Sequence, residues 1–407
     1  MFDAVVRRLE PFAREFARHG KQVYLVGGAV RNLLLGRPAQ DFDFTTDALP
    51  TEVQAFFRKV LPTGIQHGTV TVLFLGEAYE VTTFRVDGTY TDARRPDSVT
   101  FTPTLAEDLK RRDFTINAIA LNLSDGSLVD PHDGRGDLER RLLKAIGVPS
   151  ERFDEDALRV LRLFRFASQL GFTIDPATRE AATGRRDRLG AVSRERIREE
   201  LVKAMAGGNP ELAWIPLQEF GVLGDLFPEL KGEPLAPAAW GRLKELPSHL
   251  RWSLWLTLAC GSDPQAWDRT LKALTFSNSD REIFLGPARA LPFLVGPDPV
   301  PLAVKAVIEA WGSRERIGPG IRYLQTLEDL DYWRDDQGWL RELARVAASA
   351  EPVFLGDLAV GGRELLAAGV PAGPKVGETL RNLQRLVWAE PQLNSPEELI
   401  RHLRAVP

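Results

Sequence analysis

Two aspartates separated by a single phenylalanine, Asp41 and Asp43, close the stretch LVGGAVRNLLLGRPAQDFDF at residues 25–44. Successive side chains of a strand point to opposite faces, so the two carboxylates should share one face while Phe42 and Phe44 pack on the other. Like charges that are held together raise each other's pKa and are costly to bury, so folding alone does not favour such a pair. A hard cation such as Mg²⁺, which takes few carboxylates and keeps waters, would suit it.

Further residues around this pair complete a possible phosphate-transfer site. Glu80, in the β-rich segment AYEVTTF, could add a third acid and so allow two metal ions. Upstream, Gly27 and Gly28 let the backbone approach a ligand closely and lead into a predicted helix, whose N-terminus attracts phosphate, while Arg31 supplies a cation. The arrangement predicts a nucleoside triphosphate whose pyrophosphate leaves as metal ions activate an attacking hydroxyl.

The composition of the whole chain excludes several classes of protein. Its 407 residues exceed the usual size of a single core, and no apolar run approaches the roughly 20 residues of a membrane span. One cysteine, Cys260, excludes an internal disulfide, and the five scattered histidines lack zinc-ligand spacing. The net charge of −4 argues against a uniformly basic nucleic-acid binder, so any RNA site should be local. We expect a cytoplasmic protein with no leader, no membrane contact and no protein partner.

The elements that must position these residues fall into two kinds. Residues 1–125 mix strand patterns such as VYLVGG and TVTVLFLG with a helical segment, AVRNLLLG, that Gly36 should close. From about residue 138 onward, leucine, alanine, arginine and glutamate recur at helical spacing to the C-terminus. The pattern predicts an α+β region followed by an all-helical region, with breaks where proline and glycine cluster at 206–237, 286–301 and 350–375.

Five ordered motifs resemble those of the bacterial class II tRNA nucleotidyltransferases, which are the CCA-adding enzymes and their poly(A) polymerase relatives. The motifs are LVGGAVRNLLLG with DFDF, RRDFTINAIA (111–120), DPHDGRGDL (130–138), EDALRVLRLFRF (155–166) and RERIREEL (194–201). The resemblance implies a polymerase-β-like head with a mixed sheet at 1–137, a helical neck at 138–205, a helical body at 206–330 and a helical, tRNA-binding tail at 331–407. DPHDGRGDL should be a turn that forms the hinge between head and neck. Asn32 departs from the family, which usually has aspartate there, and we expect it to retune the hydrogen bonds on the phosphate side.

The same resemblance implies an activity. The protein should transfer CMP and AMP from CTP and ATP to the 3′ end of tRNA without a nucleic-acid template, with Mg²⁺ held by Asp41 and Asp43. An A-adding enzyme that works after a separate CC-adding enzyme remains an alternative, and a poly(A) polymerase or an inactive RNA-binding module is less favoured. The loop FRVDGTYTDARRPD (84–97), much of which CC-adding relatives lack, argues for a protein able to add the terminal A.

The motif RRDFTINA places Arg111, Arg112 and Asp113 beside a predicted helix start, with Asn117 four residues after the aspartate. Taken alone, Asp113 could equally be a helix N-cap. The resemblance instead assigns these four residues to the ribose and triphosphate of the nucleotide, where hydrogen bonds to the 2′-OH separate ribonucleotides from deoxyribonucleotides.

In EDALRVLRLFRF, Asp156 and Arg159 are three residues apart and should be neighbours on one helix face. They could form an ordinary surface ion pair. They could also read a base, since the carboxylate accepts from the exocyclic amine of cytosine or adenine while the guanidinium donates to the adjacent ring acceptor. Arg162 and Arg165 continue the spacing, either as a solvated stripe or as further nucleotide or RNA contacts.

A basic stretch between residues 181 and 205 is a candidate surface for tRNA. Its cations are Arg185, Arg186, Arg188, Arg194, Arg196, Arg198 and Lys203. Solvation of a helical surface alone would also explain this stretch, so both interpretations stay open at this stage.

Overall fold

The chain forms two compact units, Met1–Val222 and Leu223–Pro407. In the computed structural model the described residues are 2–39, 41–88, 99–228, 230, 235–261, 263–296 and 300–405. Residues 89–98, most of the loop to which the sequence assigns a part in A addition, lie outside the described residues. The boundaries expected near residues 137, 205 and 330 stay predictions.

All described strands belong to the first unit. They are β1 (Val23–Val26), β2 (Asp43–Thr46), β3 (Val60–Gly64), β4 (Thr69–Phe74), β5 (Glu77–Thr83), β6 (Arg85–Asp87), β7 (Val99–Phe101), β8 (Ala120–Asn122), β9 (Leu128–Val129), β10 (Leu142–Leu143) and β11 (Thr173–Ile174). Most are rich in β-branched and aromatic residues, which suit a pleated, half-buried surface.

The main sheet has the order β3-β4-β5-β2-β1-β8-β9 within the described residues. Its β2–β5 pair is parallel and its other pairs are antiparallel, so the sheet is mixed, as the resemblance implied. Every residue of the central strand β1 is buried, which explains its uninterrupted apolar sequence VYLV. Two-stranded pairs form between β6 and β7 and between β10 and β11. The short β10–β11 pair corrects the expectation that strands end near residue 138.

The helices of the first unit cover the sheet and extend beyond it. They are α1 (Phe2–Arg18), α2 (Gly28–Leu34), α3 (Pro50–Phe56), α4 (Leu105–Lys110), α5 (Gly134–Arg140), α6 (Pro149–Glu155), α7 (Leu158–Leu170), α8 (Pro176–Thr183), α9 (Arg194–Met205) and α10 (Glu211–Glu219). The predicted helix in AVRNLLLG is confirmed as α2, with Gly36 just beyond its end at φ 69°.

An aromatic cluster anchors the strand that carries Asp43. Phe44 of β2 is buried, and its ring lies 4.8 Å, centre to centre, from Phe12 of α1 and 5.3 Å from Tyr79 of β5. Phe42 is buried as well, so the prediction that the two phenylalanines pack into the core is confirmed. Since neighbouring side chains of a strand alternate, this packing holds the Asp43 side chain on the opposite face.

The second unit is helical throughout its described part. Its helices are α11 (Val222–Leu226), α12 (Pro237–Lys244), α13 (Ser248–Cys260), α14 (Pro264–Ala273), α15 (Asn278–Leu294), α16 (Val300–Trp311), α17 (Ile317–Asp329), α18 (Trp339–Ala347), α19 (Gly362–Ala367), α20 (Pro374–Ala389) and α21 (Pro396–Ala405). Trp252 and Trp255 of α13 pack edge to face in its core. In the described residues no helix is long and apolar enough to cross a membrane.

The segment DPHDGRGDL is a helix start rather than a simple turn. Asp130 accepts hydrogen bonds from the backbone N–H groups of Gly134 and Arg135, at 2.8 and 2.9 Å, and α5 begins at Gly134. A Cβ on Gly134 would lie 2.3 Å from the carbonyl oxygen of Thr115, so only glycine fits at this close approach. The predicted turn is therefore wrong for the second half of the motif, because Asp130 caps the following residues into a helix. The hinge role of this segment stays a prediction.

Candidate active site

A cavity of about 430 Å³ in the first unit collects most of the side chains that the sequence singles out. Its wall consists of Gly27, Gly28, Arg31, Asp43, Arg111, Arg112, Asp113, Asn117, Asp156, Leu158, Arg159, Arg162, Arg165, Phe166 and Arg196. These residues come from the turn before α2, the first residue of β2, the segment after α4, and the region of α7 and α9. Of the predicted site residues, Asp41 and Glu80 lie outside this wall.

The acids expected to hold metal differ in their positions. Asp43 begins β2, whereas Asp41 lies in the bend before that strand, so one continuous strand does not carry both. Glu80 of β5 pairs in register with Asp43 across the parallel β2–β5 ladder. Among the described residues no group of three or more histidine, cysteine, aspartate or glutamate side chains is close enough to hold a metal ion. A part for Glu80 in metal binding stays a prediction, as does the aspartate pair.

The electrostatics around Asp43 suit a bound cation. Burial raises the pKa of Asp43, Arg112 opposes this shift, and the neighbouring charge of Asp41 adds to it. Burial and the charge of Asp43 also raise the pKa of Glu80. A hard cation between Asp41 and Asp43 would relieve their repulsion, and two carboxylates plus waters are a donor set that Mg²⁺ accepts.

Two guanidinium groups lie beside the glycine pair. Gly27 has φ 69° and ψ −134°, a conformation that side-chain-bearing residues rarely adopt. A Cβ on Gly27 would lie 3.7 Å from Nη1 of Arg112, and one on Gly28 would lie 3.5 Å from Nη2 of Arg31. The turn and these two cations therefore form one continuous positive surface beside Asp43.

Arg31 is buried beneath the cavity and held by two asparagines. Its Nη1 donates to Oδ1 of Asn117 at 2.7 Å, and its Nη2 and Nε donate to Oδ1 of Asn32 at 3.1 and 3.3 Å. Burial lowers the pKa of Arg31 to about 10, and the nearby charge of Arg165 acts in the same direction. Asn32 offers Arg31 a neutral acceptor. The positive charge of the arginine is therefore not neutralised by this partner and is available to a ligand. A changed phosphate contact at Asn32 stays a prediction.

Asp113 is a clamp rather than a helix N-cap. Its Oδ1 accepts from the backbone N–H of Phe114 at 2.8 Å and from Nδ2 of Asn117 at 3.0 Å, and its Oδ2 accepts from Nε of Arg162 at 2.9 Å. The N-cap of the following 3₁₀ turn, Thr115–Asn117, is Phe114, and Asp113 makes no capping bond to it. Burial alone would raise the pKa of Asp113, but Arg162 and Asn117 hold it well below its ordinary value. The carboxylate thus joins the segment after α4 to helix α7.

Replacing Asp113 with alanine should lower the free energy of unfolding by about 2 to 3 kcal/mol, because a buried acceptor is lost and Arg162 loses its partner. Urea titration followed by circular dichroism measures the change. Asp187→Ala is the control, since that side chain is 91% exposed and its pair with Arg186 should contribute about 0 to 1 kcal/mol. Equal effects of the two substitutions would contradict the clamp.

Asp156 and Arg159 both face the cavity but do not pair with each other. Asp156 lies before the start of α7, where its Oδ1 accepts from the backbone N–H of Leu158 at 3.0 Å and its Oδ2 accepts from Nη2 of Arg196 at 2.8 Å. Arg159 donates from Nη1 to Glu155 at 2.6 Å and from Nη2 to the carbonyl of Arg111 at 3.0 Å. The sequence predicted that the two residues are neighbours on one helix face, and it allowed a surface ion pair between them. Both expectations are therefore wrong.

The arginine stripe on α7 is not a solvated surface. Arg165 is buried, pairs with Glu200 of α9, and lies with its guanidinium carbon 3.9 Å from the centre of the Phe166 ring. Arg162 is about two-thirds buried and held by Asp113. Both side chains therefore belong to the cavity wall, where acids fix their positions.

The basic stretch between residues 181 and 205 is largely paired with acids and carbonyls. Arg185 and Arg188 both donate to Asp154, at 3.1 and 3.0 Å, and Arg186 donates to the carbonyl of Phe220. Arg194 and Lys203 are exposed. A tRNA surface in this stretch stays a prediction that now depends mainly on these exposed cations.

Sequence reasoning missed Asp108 and Glu200 and assigned Arg196 to the tRNA surface instead. Asp108 of α4 is fully buried and accepts from both Arg111 and Arg112. Glu200 holds Arg165, and Arg196 holds Asp156. Asp108 precedes the two arginines by three and four residues, a helical spacing that could have indicated the contact. Arg196 and Glu200 belong to the quoted RERIREEL motif, but nothing in their local spacing indicates partners on α7.

Two guanidinium groups in the cavity wall carry buried nitrogens without a hydrogen-bond partner. These are Nε of Arg112 and Nη1 of Arg196. A buried donor without an acceptor is costly. Arg112 lies beside Gly27, and Arg196 donates to Asp156.

Known proteins match this chain along most of its length. A sequence family described as the poly A polymerase head domain matches residues 23–144, and one described as a probable RNA and SrmB binding site of polymerase A matches residues 171–233. The CCA-adding enzyme of Geobacillus kaustophilus is 39% identical over 399 residues, which cover 95% of this chain and 93% of that protein. The match to the CCA-adding enzyme of Lactobacillus johnsonii, 46% identical, covers 58% of this chain and 59% of that protein.

The solved structures that resemble this chain have the same architecture. The CCA-adding enzyme of Bacillus stearothermophilus in complex with CTP is 34% identical, with a TM-score of 0.76 over 97% of this chain and 96% of that one. The Thermotoga maritima CCA-adding enzyme complexed with tRNA is 20% identical with a TM-score of 0.62, over 99% of this chain and 95% of that one, which supports the fold alone. The expected mixed-sheet head followed by helices is confirmed. The chain therefore belongs to the family of CCA-adding enzymes, whose nucleotidyl transfer is metal-dependent in general.

Proposed function

We propose that this protein transfers CMP and AMP from CTP and ATP to the 3′ end of tRNA, building or repairing the CCA terminus and releasing pyrophosphate. The observation that carries the proposal is the cavity itself, in which an acidic strand end, a glycine turn lined by arginines and an Asp–Arg set surround one space. Membership of the CCA-adding family, through relatives aligned over nine-tenths of this chain, supports the same activity. The proposed substrate is tRNA, and the proposed location of the protein is the cytoplasm.

In the proposed reaction, the 3′-hydroxyl of the RNA attacks the α-phosphorus, a new phosphodiester bond forms, and the bond to pyrophosphate breaks. Asp41 and Asp43 would hold Mg²⁺, which when bound supplies charge stabilisation at the reacting phosphate and lowers the pKa of the attacking hydroxyl. Arg31 and Arg112 bind the triphosphate beside the glycine turn, since their guanidinium groups flank Gly28 and Gly27. Arg111 continues this positive surface along the wall.

The ribose and base occupy the other half of the cavity in this proposal. Asn117 and Asp113 lie where side-chain hydrogen bonds to the 2′-OH select a ribonucleotide. Asp156 uses one acceptor site on each oxygen for Leu158 and Arg196, which leaves further lone pairs for the exocyclic amine of cytosine or adenine. Uracil and guanine present a carbonyl at that position, so acceptor would meet acceptor and the base would be rejected.

A primer-extension assay tests the proposed function. Purified protein is incubated with tRNA that ends before CCA, or after CC, together with each of the four labelled nucleotides. Addition of three nucleotides to the first RNA, from CTP and ATP only, is the expected result. Addition of a single A to the second RNA alone would identify an A-adding enzyme, and absence of any product would overturn the proposal.

The loop from Arg85 to Asp97 should matter more for A addition than for C addition. Because β6 and β7 pair antiparallel, a deletion should be confined to residues between these strands so that the pair survives. The shortened protein should add CC at a rate near that of the full chain and stop there. Product length on tRNA that ends before CCA measures this, and completion of CCA at an undiminished rate would remove the role assigned to the loop.

A further inference from the structure

A fully buried carboxylate, Asp108, lies behind the arginine side of the cavity. Its Oδ1 accepts from Nε and Nη2 of Arg111 at 3.0 and 2.8 Å, and its Oδ2 accepts from Nη2 of Arg112 at 3.2 Å. Oδ2 also accepts from the hydroxyl of Thr45 at 3.1 Å. Burial alone would raise the pKa of Asp108, but the two arginines hold it below its ordinary value, so the group is a charged anchor.

The contacts of Asp108 connect strand β2 with the arginines on the proposed phosphate-binding side of the cavity. Thr45 lies on β2, two residues after Asp43, so its hydroxyl ties the anchor to the strand that carries the proposed metal site. Arg112 lies beside Gly27 and acts electrostatically on Asp43. One carboxylate therefore sets where both guanidinium groups stand relative to β2.

Asp108 does not line the cavity and cannot touch a nucleotide there. The two arginines do line it, and each donates hydrogen bonds to Asp108. A buried acid paired with two arginines is weak evidence for added stability, because desolvation offsets much of the attraction. What the pairing does supply is a fixed orientation for two forked, always-charged side chains.

We propose that Asp108 is a positioning residue for nucleotide binding, which holds Arg111 and Arg112 in the orientation that receives the triphosphate. The inference rests on the proposed function, since it assigns the phosphates to this side of the cavity. It predicts that loss of the Asp108 charge weakens binding of every nucleotide alike. It also predicts that the choice between CTP and UTP is unchanged, because Asp156 on the other side is untouched.

The first test compares Asp108→Asn with Asp137→Asn. Asp137 is a matched control, since it too is buried, accepts from a threonine hydroxyl (Thr115, 2.7 Å) and an arginine (Arg140, 2.7 Å), and lies outside the cavity wall. Calorimetric titration with CTP, ATP and inorganic pyrophosphate gives the dissociation constants, and a melting curve checks folding. Asp108→Asn should weaken all three by about tenfold or more, since charge-assisted hydrogen bonds no longer orient the two arginines, whereas Asp137→Asn should change them less than twofold.

A second test keeps the proposal falsifiable if Asp108→Asn folds poorly. The double variant Arg111→Gln/Arg112→Gln is compared with a triple variant that also carries Asp108→Asn. In the triple variant residue 108 is neutral, so no unpaired charge is buried there. If Asp108 acts through the two arginines, the triple variant should bind pyrophosphate no more weakly than the double variant. A further loss of about the same factor as in the single variant would show an independent structural role and overturn the proposal.

The outcomes separate this inference from the proposed function. Pyrophosphate and CTP constants for folded Asp108→Asn within twofold of wild type would overturn the positioning role while nucleotide transfer by the wild-type protein stood. Wild-type protein that binds these ligands but extends no tRNA would overturn the proposed function instead.

Discussion

Asp43→Ala and Asp41→Ala are each expected to abolish nucleotide transfer while the fold stays intact. Removal of either carboxylate takes away a proposed metal ligand, and with it both the positioning and the charge stabilisation at the reacting phosphate. Asp43 opens onto the cavity at the first residue of β2, and Asp41 is close enough to influence its pKa. Stability should hardly change, since relief of like-charge repulsion offsets any lost contact.

The measurement is the single-turnover rate of CMP addition at saturating Mg²⁺, with a melting curve for each variant. Asp47→Ala is the control, because Asp47 follows the same strand and accepts from the backbone N–H of Gln22 at 2.7 Å, outside the cavity wall. More than a few per cent of the wild-type rate in folded Asp41→Ala or Asp43→Ala would contradict the assignment of these two aspartates as metal ligands.

The role of Glu80 can be decided in the same series. Glu80→Gln is compared with Glu77→Gln, since both acids lie on β5. Glu80 lies opposite Asp43 in the β2–β5 ladder, whereas Glu77 forms an ion pair with Arg8. A loss confined to Glu80→Gln would show that the third acid takes part, and equal rates would limit the site to the aspartate pair.

Asp156→Ala is expected to relax nucleotide choice. The carboxylate lines the cavity and is held in a fixed orientation by Leu158 and Arg196. Its removal takes away the acceptor that repels the carbonyls of uracil and guanine, and each hydrogen bond at such a site contributes about 1 to 3 kcal/mol. As about 1.4 kcal/mol corresponds to a tenfold change, UTP and GTP should gain roughly tenfold or more relative to CTP and ATP.

The measurement is kcat/KM for all four nucleotides on tRNA lacking A or CA. Asp154→Ala provides the control, since Asp154 is also paired with two arginines, Arg185 and Arg188, but lies outside the cavity wall. Asp154→Ala should keep the wild-type ranking of the four nucleotides. An unchanged ranking in folded, active Asp156→Ala would mean that Asp156 only anchors Arg196, and would end the protein-template mechanism proposed here.

Local sequence patterns were enough to predict the elements that carry the chemistry. The apolar strand before the glycine pair, the helix after it and a strand that includes Asp43 follow from spacing within a few residues, because side-chain periodicity and glycine conformation are local properties. The start of that strand was misplaced, since Asp41 lies in the bend before it. Phe42 and Phe44 were placed in the core by alternation alone. Local reasoning placed Arg31 and Arg159, and the family resemblance placed Asp113, among candidate nucleotide contacts, although their roles stay predictions.

Only the tertiary structure decided which charged groups hold one another. Asp113 pairs with Arg162, 49 residues away, and Asp156 pairs with Arg196, 40 residues away, where spacing along the chain had suggested Arg159. Such pairs form because α7 and α9 pack side by side and the segment after α4 lies against α7, which no local period reveals. The contact between Asp108 and Thr45 was missed for the same reason, since it joins α4 to β2 across 63 residues of sequence. Burial then makes these long-range partners obligatory, because an arginine or aspartate removed from water must find its counter-charge wherever the fold provides it.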